Sequence, residues 1–428
     1  MSHVQTTENL KIISMDVKDL RFPTSLHADG SDAMHNDPDY SCAYVTIKIQ
    51  TGLEGHGLTF TLGRGTEIVV KAIQTLSALV VGQVITDIYR EFGSFWRTLT
   101  SESQLRWVIW QLLADLEPEQ LVSCIDFRYL SNVITKEEAL ELLKEGREGK
   151  EERVNKLLEV GYPCYTTQAG WLGYSNEKIS ELVEKYLDLG FTAFKLKVGK
   201  NLYDDIKRLE FVRNIIGYDK ILMVDANQVW EVQEAIDWMA QLAQFKPLWI
   251  EEPTSPDDVL GHAQISKALH PLGISVASGE MCCNRVLFKQ FLQADAIQYC
   301  QIDSARIGGV NEILSVYLMA KKLGVKVCPH AGGVGLCEMV QHLQMWDYVA
   351  LSGTSEGRFI EYIDQQHEHF VNPTIVENAH YLAPRTPGYN TTFKKEAIEN
   401  YIYPEGKEWE AMFAKGVFSD PRKHKYWT

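Results

Sequence analysis

Phe194-Lys195-Leu196-Lys197-Val198-Gly199 is the stretch on which the reading of this chain turns. It follows one helical run and opens another, and residues 191–198 read as a short β-strand. Successive side chains of a strand face opposite sides, so Lys195 and Lys197 share one face. If that face is the inside of a barrel, two ammonium groups crowd a confined space. Each then disfavours the charge of the other, and both pKa values are expected to fall. An ordinary lysine is almost wholly protonated at neutral pH, so a lysine base needs such a shift. The rival reading is a polar strand end with two solvated lysines, and the rest of the chain decides between them.

Outward from this stretch, short apolar segments end at Lys197, Asp225, Glu251, Glu280, Asp303, His330 and Glu361, 23 to 31 residues apart. Most are followed by a helical pattern, as at 257–269 and 310–323. Strands alternating with helices at this period predict a parallel α/β barrel. The first strand has two candidates, 121–127 and 162–168, with a charged helical pair over 136–160 between them. The second is favoured because a helix at 176–189 follows directly. Earlier, strands at 10–22, 43–50 and 57–62 and helices at 67–81 and 85–99 predict a small α+β unit. Its long polar loop, 23–40, is of the kind that carries function. After Phe370 the pattern stops, and the aromatic, charged stretch 409–427 is expected to return to the first unit. The expected fold is thus a (β/α)7β TIM-type barrel over 121–372, an N-terminal α+β capping domain over 1–120, and a C-terminal segment over 373–428.

Composition narrows the function classes. A chain of 428 residues exceeds one ordinary core, and 45% hydrophobic with 23% charged residues is the balance of a soluble globular protein. No apolar run is long enough to span a membrane. Residues 1–10 lack the features of a signal or transit peptide, so an intracellular protein is expected, with cytoplasm and mitochondrial matrix both open. A net charge of −15 argues against a broad nucleic-acid surface. An anionic substrate would then need a local positive charge, from a metal or a lysine cluster. The eight cysteines form no Cys-x-x-Cys pair and are expected to be reduced, mostly buried thiols.

Catalytic groups of such barrels sit at the C-terminal strand ends. Here those ends are almost all ionisable. Asp225, the pair Glu251-Glu252 and Glu280 end three successive strands. Three carboxylates converging on one rim repel unless a cation neutralises them, and an incomplete all-oxygen shell favours Mg2+. Spacing alone does not choose between Glu251 and Glu252. Further round, Asp303 and His330 end neighbouring strands and are suited to a dyad in which the carboxylate orients the imidazole. Glu361 adds a carboxyl on the last strand. Lysines on one side, metal carboxylates in the middle and His–Asp on the other suit abstraction of a proton α to a carboxylate, with a divalent ion stabilising the enediolate.

These residues resemble the enolase superfamily, in its mandelate-racemase-like branch. Enolase-superfamily sites with a Lys or His base and Mg2+ are a known pattern of pKa tuning. Longer stretches carry a closer resemblance, to L-fuconate dehydratases: Phe22-Pro23-Thr24-Ser25, Asp37-Pro38-Asp39-Tyr40, Trp171-Leu172-Gly173-Tyr174-Ser175, Glu252-Pro253-Thr254-Ser255-Pro256-Asp257-Asp258 and Pro329-His330-Ala331-Gly332-Gly333. The resemblance implies that Lys197 removes the C2 proton of L-fuconate, with Lys195 tuning it. Asp225, Glu251 and Glu280 would bind Mg2+, and His330, held by Asp303, would help the C3 hydroxyl leave. Glu361 would be a protonated carboxyl at the substrate carboxylate. Gly30, Ser31, Asp32 and Tyr40 would close over the sugar, and Asn227 would add a polar contact. The implied product is 2-keto-3-deoxy-L-fuconate plus water, made by a homo-oligomer.

One departure stands out. Relatives carry a longer helical stretch between the equivalents of Trp107 and Val108, so the cap is read as shortened there. Alternatives therefore stay in view: another acid-sugar dehydratase or epimerase at the same site, a Schiff-base aldolase using Lys197, or a barrel whose catalysis is impaired by the short cap. The His367-Glu368-His369 cluster is read as a surface turn rather than a metal site.

Overall fold

In a computed structural model that describes residues 10–36, 38–90, 95, 113–114, 116–385 and 389–423, the chain begins with three antiparallel strands in the order β1 (Ile12–Arg21), β2 (Ser41–Ile49), β3 (Glu54–Thr61). The helix Thr66–Val80 covers one face, placing Ile73 against Val17, Ala43 and Val45. The next helix, Ile85–Arg90, is described only to Arg90. Its predicted continuation to 99 and the shortening at Trp107-Val108 both lie outside the described residues.

The segment 121–127 is no strand. It enters the short helix Pro118–Ser123 and then turns. Two charged helices follow, Lys136–Glu145 and Lys150–Val160, the first started by a reciprocal cap. Thr135 Oγ1 accepts from the Glu138 N–H at 3.2 Å, and Glu138 Oε2 accepts from the Thr135 N–H at 2.9 Å.

The barrel then runs β4 (Tyr162–Thr166), β5 (Ala193–Lys197), β6 (Ile221–Asp225), β7 (Trp249–Glu251), β8 (Ser275–Ser278), β9 (Tyr299–Cys300) and β10 (Lys326–Val327), each paired in parallel with the next. The last strand, β11 (Ile360–Tyr362), returns in parallel beside β4. Just past β10 and just before β11 the chain meets itself, with the Phe359 N–H donating to Cys328 Sγ at 3.4 Å. Helices such as Asn176–Asp188, Leu202–Ile216 and Val310–Leu323 form the outer layer.

Period-2 alternation sorts every barrel strand into two faces. In β5, Phe194 and Leu196 point outward into the helix-facing core, while Ala193, Lys195 and Lys197 point inward. The inward apolar layer is Tyr165, Ala193, Met223, Trp249, Ala277, Tyr299 and Cys328, a plug of rings and small side chains. Two residues further along those strands stand Thr167, Lys195, Asp225, Glu251, Gly279, Gln301 and His330. One step of alternation therefore carries the interior from an apolar layer to one that holds Lys195, Asp225, Glu251 and His330.

After β11 the chain makes a small hairpin, β12 (Val376–Glu377) with β13 (His380–Tyr381), and returns to the N-terminal unit. The Tyr403 N–H donates to Asp19 O at 3.0 Å, and the Trp409 indole N–H donates to Arg21 O at 3.0 Å. All eight cysteines are free, and six are buried.

Candidate active site

The ionisable layer is a connected ring. Lys195 Nζ lies 2.5 Å from Glu251 Oε1, 2.9 Å from Glu361 Oε1 and 3.5 Å from Asp225 Oδ2. Lys197 Nζ lies 2.5 Å from Asp225 Oδ2, its one ion pair among the described residues, and 5.4 Å from the centre of the Trp171 ring. Glu251 Oε2 accepts from Gln301 at 2.6 Å and from the Trp249 indole at 3.2 Å. Glu361 accepts from Thr167 Oγ1 at 2.5 Å and from the Ala331 N–H at 2.8 Å.

Exposure gives the ring a direction. Asp225, Glu251, Lys195 and Glu361 are at most 1% exposed, whereas Lys197, His330, Glu280, Asn227 and Asp32 reach 6–9%. A small molecule entering from the rim therefore meets the second group first. On that rim His330 Nδ1 is 2.7 Å from Asp303 Oδ2, and its Nε2 faces Glu280 Oε2 at 3.5 Å and Glu361 Oε2 at 3.9 Å.

One oxygen each from Asp225, Glu251 and Glu280 can be chosen so that all three lie within 4.8 Å of one another. Two observations fit this cluster to a cation. The donors are all carboxylate oxygens, the set a hard ion such as Mg2+ prefers. Beside them Asn227 Oδ1 and Glu252 Oε1 are buried without a hydrogen-bond partner. The structure also resolves the choice within the Glu pair: Glu251 joins the cluster, while Glu252 turns to accept from Gln228 Nε2 at 2.9 Å.

Charge states depart from two expectations. Mutual repulsion was to lower both lysines, yet both stand above the usual range. Burial alone would lower them, but for Lys195 the charges of Glu251 and Glu361, and for Lys197 that of Asp225, outweigh both burial and repulsion. Glu361 was expected to be protonated. Burial favours that, but the Lys195 and His330 charges and the hydrogen bonds from Thr167 and Ala331 hold it well below the usual carboxylate range. Glu251 moves the other way, to about 8, through burial and the neighbouring Asp225 charge. Burial disfavours the His330 imidazolium, yet the Glu280 charge and the Asp303 hydrogen bond raise it to about 8.

The loop from the N-terminal unit reaches the rim. Gly30 has φ +81°, and a Cβ there would sit 2.5 Å from the Tyr40 ring, so only glycine lets Tyr40 lie against it. Ser31 Oγ accepts from the Gly173 N–H at 3.0 Å, and the Tyr174 hydroxyl donates to Asp29. Asp32 Oδ1 accepts from the N–H groups of Met34 at 2.7 Å and His35 at 2.6 Å, and its charge bears on Lys197. The structure thus brings the residues expected to bind metal or sugar or to move protons to one end of the barrel. Thr167, Gln301 and Trp171 were not singled out. The first two follow from the alternation, two residues beyond Tyr165 and Tyr299. Trp171 lies in a loop and carried no such signal.

The His367-Glu368-His369 cluster is not a metal site among the described residues. His367 commits Nδ1 to the buried Glu338 at 2.6 Å and Nε2 to Ile363 O at 2.7 Å, while His369 stacks on Phe22 at 4.8 Å.

Comparison with known proteins places this geometry. Residues 178–397 match the family described as Enolase C-terminal domain-like. The chain is 53% identical, over 94% of its length and 97% of the relative, to the Mitochondrial enolase superfamily member 1 of Xenopus laevis. The crystal structure of the human Mitochondrial enolase superfamily member 1 superposes with a TM-score of 0.92 at 50% identity, covering 95% of this chain and 99% of that one. L-galactonate dehydratase of Hypocrea jecorina is 45% identical over 92% of this chain and 94% of its own.

Proposed function

The chain belongs to the enolase superfamily, and from that premise we propose that it is a Mg2+-dependent hydro-lyase that converts L-fuconate to 2-keto-3-deoxy-L-fuconate and water. The observation that carries this reading is the opposition on one rim of a lysine and a His–Asp dyad, with three convergent carboxylates between them. The 45% identity to an L-galactonate dehydratase favours a second substrate, L-galactonate, which differs from L-fuconate only in a hydroxymethyl in place of the C6 methyl. The same reading divides the chain into a cap at 1–120, a barrel at 121–372 and a C-terminal segment at 373–428.

Asp225, Glu251 and Glu280 would hold Mg2+, which when bound neutralises their charge and stabilises the negative charge that builds on the substrate carboxylate. Lys195 stays an ammonium, fixed by Glu251 and Glu361. Among the described residues Asp225 is the close ionic partner of Lys197, so a metal held by Asp225 would weaken the hold on that ammonium and supply charge that favours the neutral amine. Its Nζ takes the proton from C2, giving an enediolate. His330, charged and oriented by Asp303, gives its Nε2 proton to the C3 hydroxyl as the C3–O bond breaks and water leaves. The resulting enol picks up a proton at C3 to give the 2-keto acid. Ser31, Asp32, Tyr40 and Asn227 would hold the sugar hydroxyls, and Gly30 permits the close approach of Tyr40.

The test is a panel of acid sugars with Mg2+, read by semicarbazide for keto acid. Turnover of L-fuconate that is lost in Lys197→Ala, in His330→Asn and on adding EDTA supports the reading. An epimer in place of a keto acid, or turnover that resists EDTA, overturns it.

A further inference from the structure

Arg306 lies between the two halves of the site. Its Nη1 is 3.1 Å from Glu280 Oε1, 3.5 Å from the Glu280 carbonyl oxygen and 3.5 Å from Asp303 Oδ2. Its backbone N–H donates to Asp303 Oδ1 at 3.0 Å, beside that of Ala305 at 2.7 Å. The guanidinium stands over the Phe60 ring of β3, 5.5 Å from its centre, and Tyr40 meets the same ring edge-on at 5.3 Å. Thr59 Oγ1, one residue before Phe60, donates to Ala305 O at 2.9 Å. A single cation thus touches a cluster carboxylate, the partner of the imidazole and the N-terminal unit.

The Glu280 carboxylate has two cationic neighbours on opposite oxygens: Arg306 at Oε1 and His330 Nε2 at Oε2. His330 Nε2 is the atom that faces the rim, because Nδ1 is committed to Asp303. If Arg306 is removed, the attraction left to Glu280 is that imidazolium. The carboxylate would then turn toward His330, leaving the cluster with Asp225 and Glu251 and occupying the proton that must reach the substrate.

We infer that Arg306 is a positioning residue: it holds Glu280 in the metal cluster and away from His330 Nε2, and it packs on β3 of the N-terminal unit. The catalytic consequence rests on the dehydratase reading, whereas the metal-binding consequence does not. Lysine is a poor substitute, since a compact, strongly hydrated ammonium does not lie on the Phe60 ring as the planar guanidinium does while its Nη1 reaches Glu280 and Asp303.

The test uses the full chain with Arg306→Ala and Arg306→Lys. Metal-stripped protein is titrated with Mg2+ by calorimetry, and kcat and KM are measured on the acid sugar the wild type turns over. Partners of this outer kind are worth about 10–100-fold in metal affinity or activity, and a loss in that range is expected for both Mg2+ affinity and kcat in Arg306→Ala. KM should change little, and added guanidinium should restore part of the kcat of Arg306→Ala. A purely structural role predicts lower thermal stability with wild-type Mg2+ affinity and kcat, and that result overturns the proposal. If Arg306→Ala does not fold, Arg306→Lys decides: wild-type Mg2+ affinity in that variant also overturns it. If the wild type dehydrates no acid sugar, the reaction assigned above fails, while the Mg2+ titration still decides the role of Arg306.

Discussion

The backbones of Asp303 and His330 are joined by an isolated parallel bridge beyond the ends of β9 and β10, and their side chains meet at 2.7 Å. The dyad is therefore set by barrel register rather than by loop conformation. His330 is raised to about 8, above the usual imidazole value, so its charged form is full at lower pH and is lost as pH rises through about 8. The rate limb that needs the acid should fall there. Asp303→Asn removes one support of the raised value, so the limb should move to lower pH and kcat should drop by about 10²–10⁴. Profiles of kcat/KM against pH for both proteins check this, and identical limbs would contradict it.

Lys195 and Lys197 should fail differently. On the proposed mechanism Lys197→Ala should abolish exchange of the C2 proton with deuterated solvent, because Nζ would be the group that takes it. Lys195→Met leaves Glu251 and Glu361 buried without their shared cation, a change that costs about 3–5 kcal/mol when one partner of a buried pair is removed. Urea unfolding should show the larger loss for Lys195→Met.

Metal binding should release protons. Burial and the Asp225 charge raise Glu251, and a carboxylate ligand must be ionised, so metal binding draws on its anionic form. Calorimetric titration of Mg2+ in buffers of different ionisation enthalpy should therefore report proton release that shrinks as pH rises. The same binding should raise stability by about 2.7 kcal/mol at a hundredfold excess over Kd, reversed by EDTA.

The His367–Glu338 pair predicts a stability effect remote from the cluster. Burial opposes the charged His367, but Glu338 raises it to about 9. A raised histidine stabilises fully below its unfolded value near 6.5, and that contribution is lost as pH rises through 9. His367→Ala should lower stability at pH 6 by about 3–5 kcal/mol and by less at pH 10, measured by thermal or urea unfolding.

Much of this was legible along the chain because barrel strands repeat and because alternation fixes which side chains face inward. The strand ending in Lys197 and its six successors could be read from spacing alone. The states of Lys195, Lys197 and Glu361 could not, since each depends on a carboxylate or cation supplied by another strand at a distance only the register sets. β9 and β10 end before the ionisable residues, which pair beyond them through the isolated Asp303–His330 bridge. Arg306 itself, in a loop, had no periodicity to mark it.

The strap from the C-terminal segment has a consequence for how the protein is made. β1 is an edge strand, and the backbone it exposes at Asp19, Leu20 and Arg21 is covered by Tyr403, Ile402 and Trp409. On the ribosome β1 therefore waits for residues 402–409, and its open edge is a template for pairing with other nascent chains until they emerge.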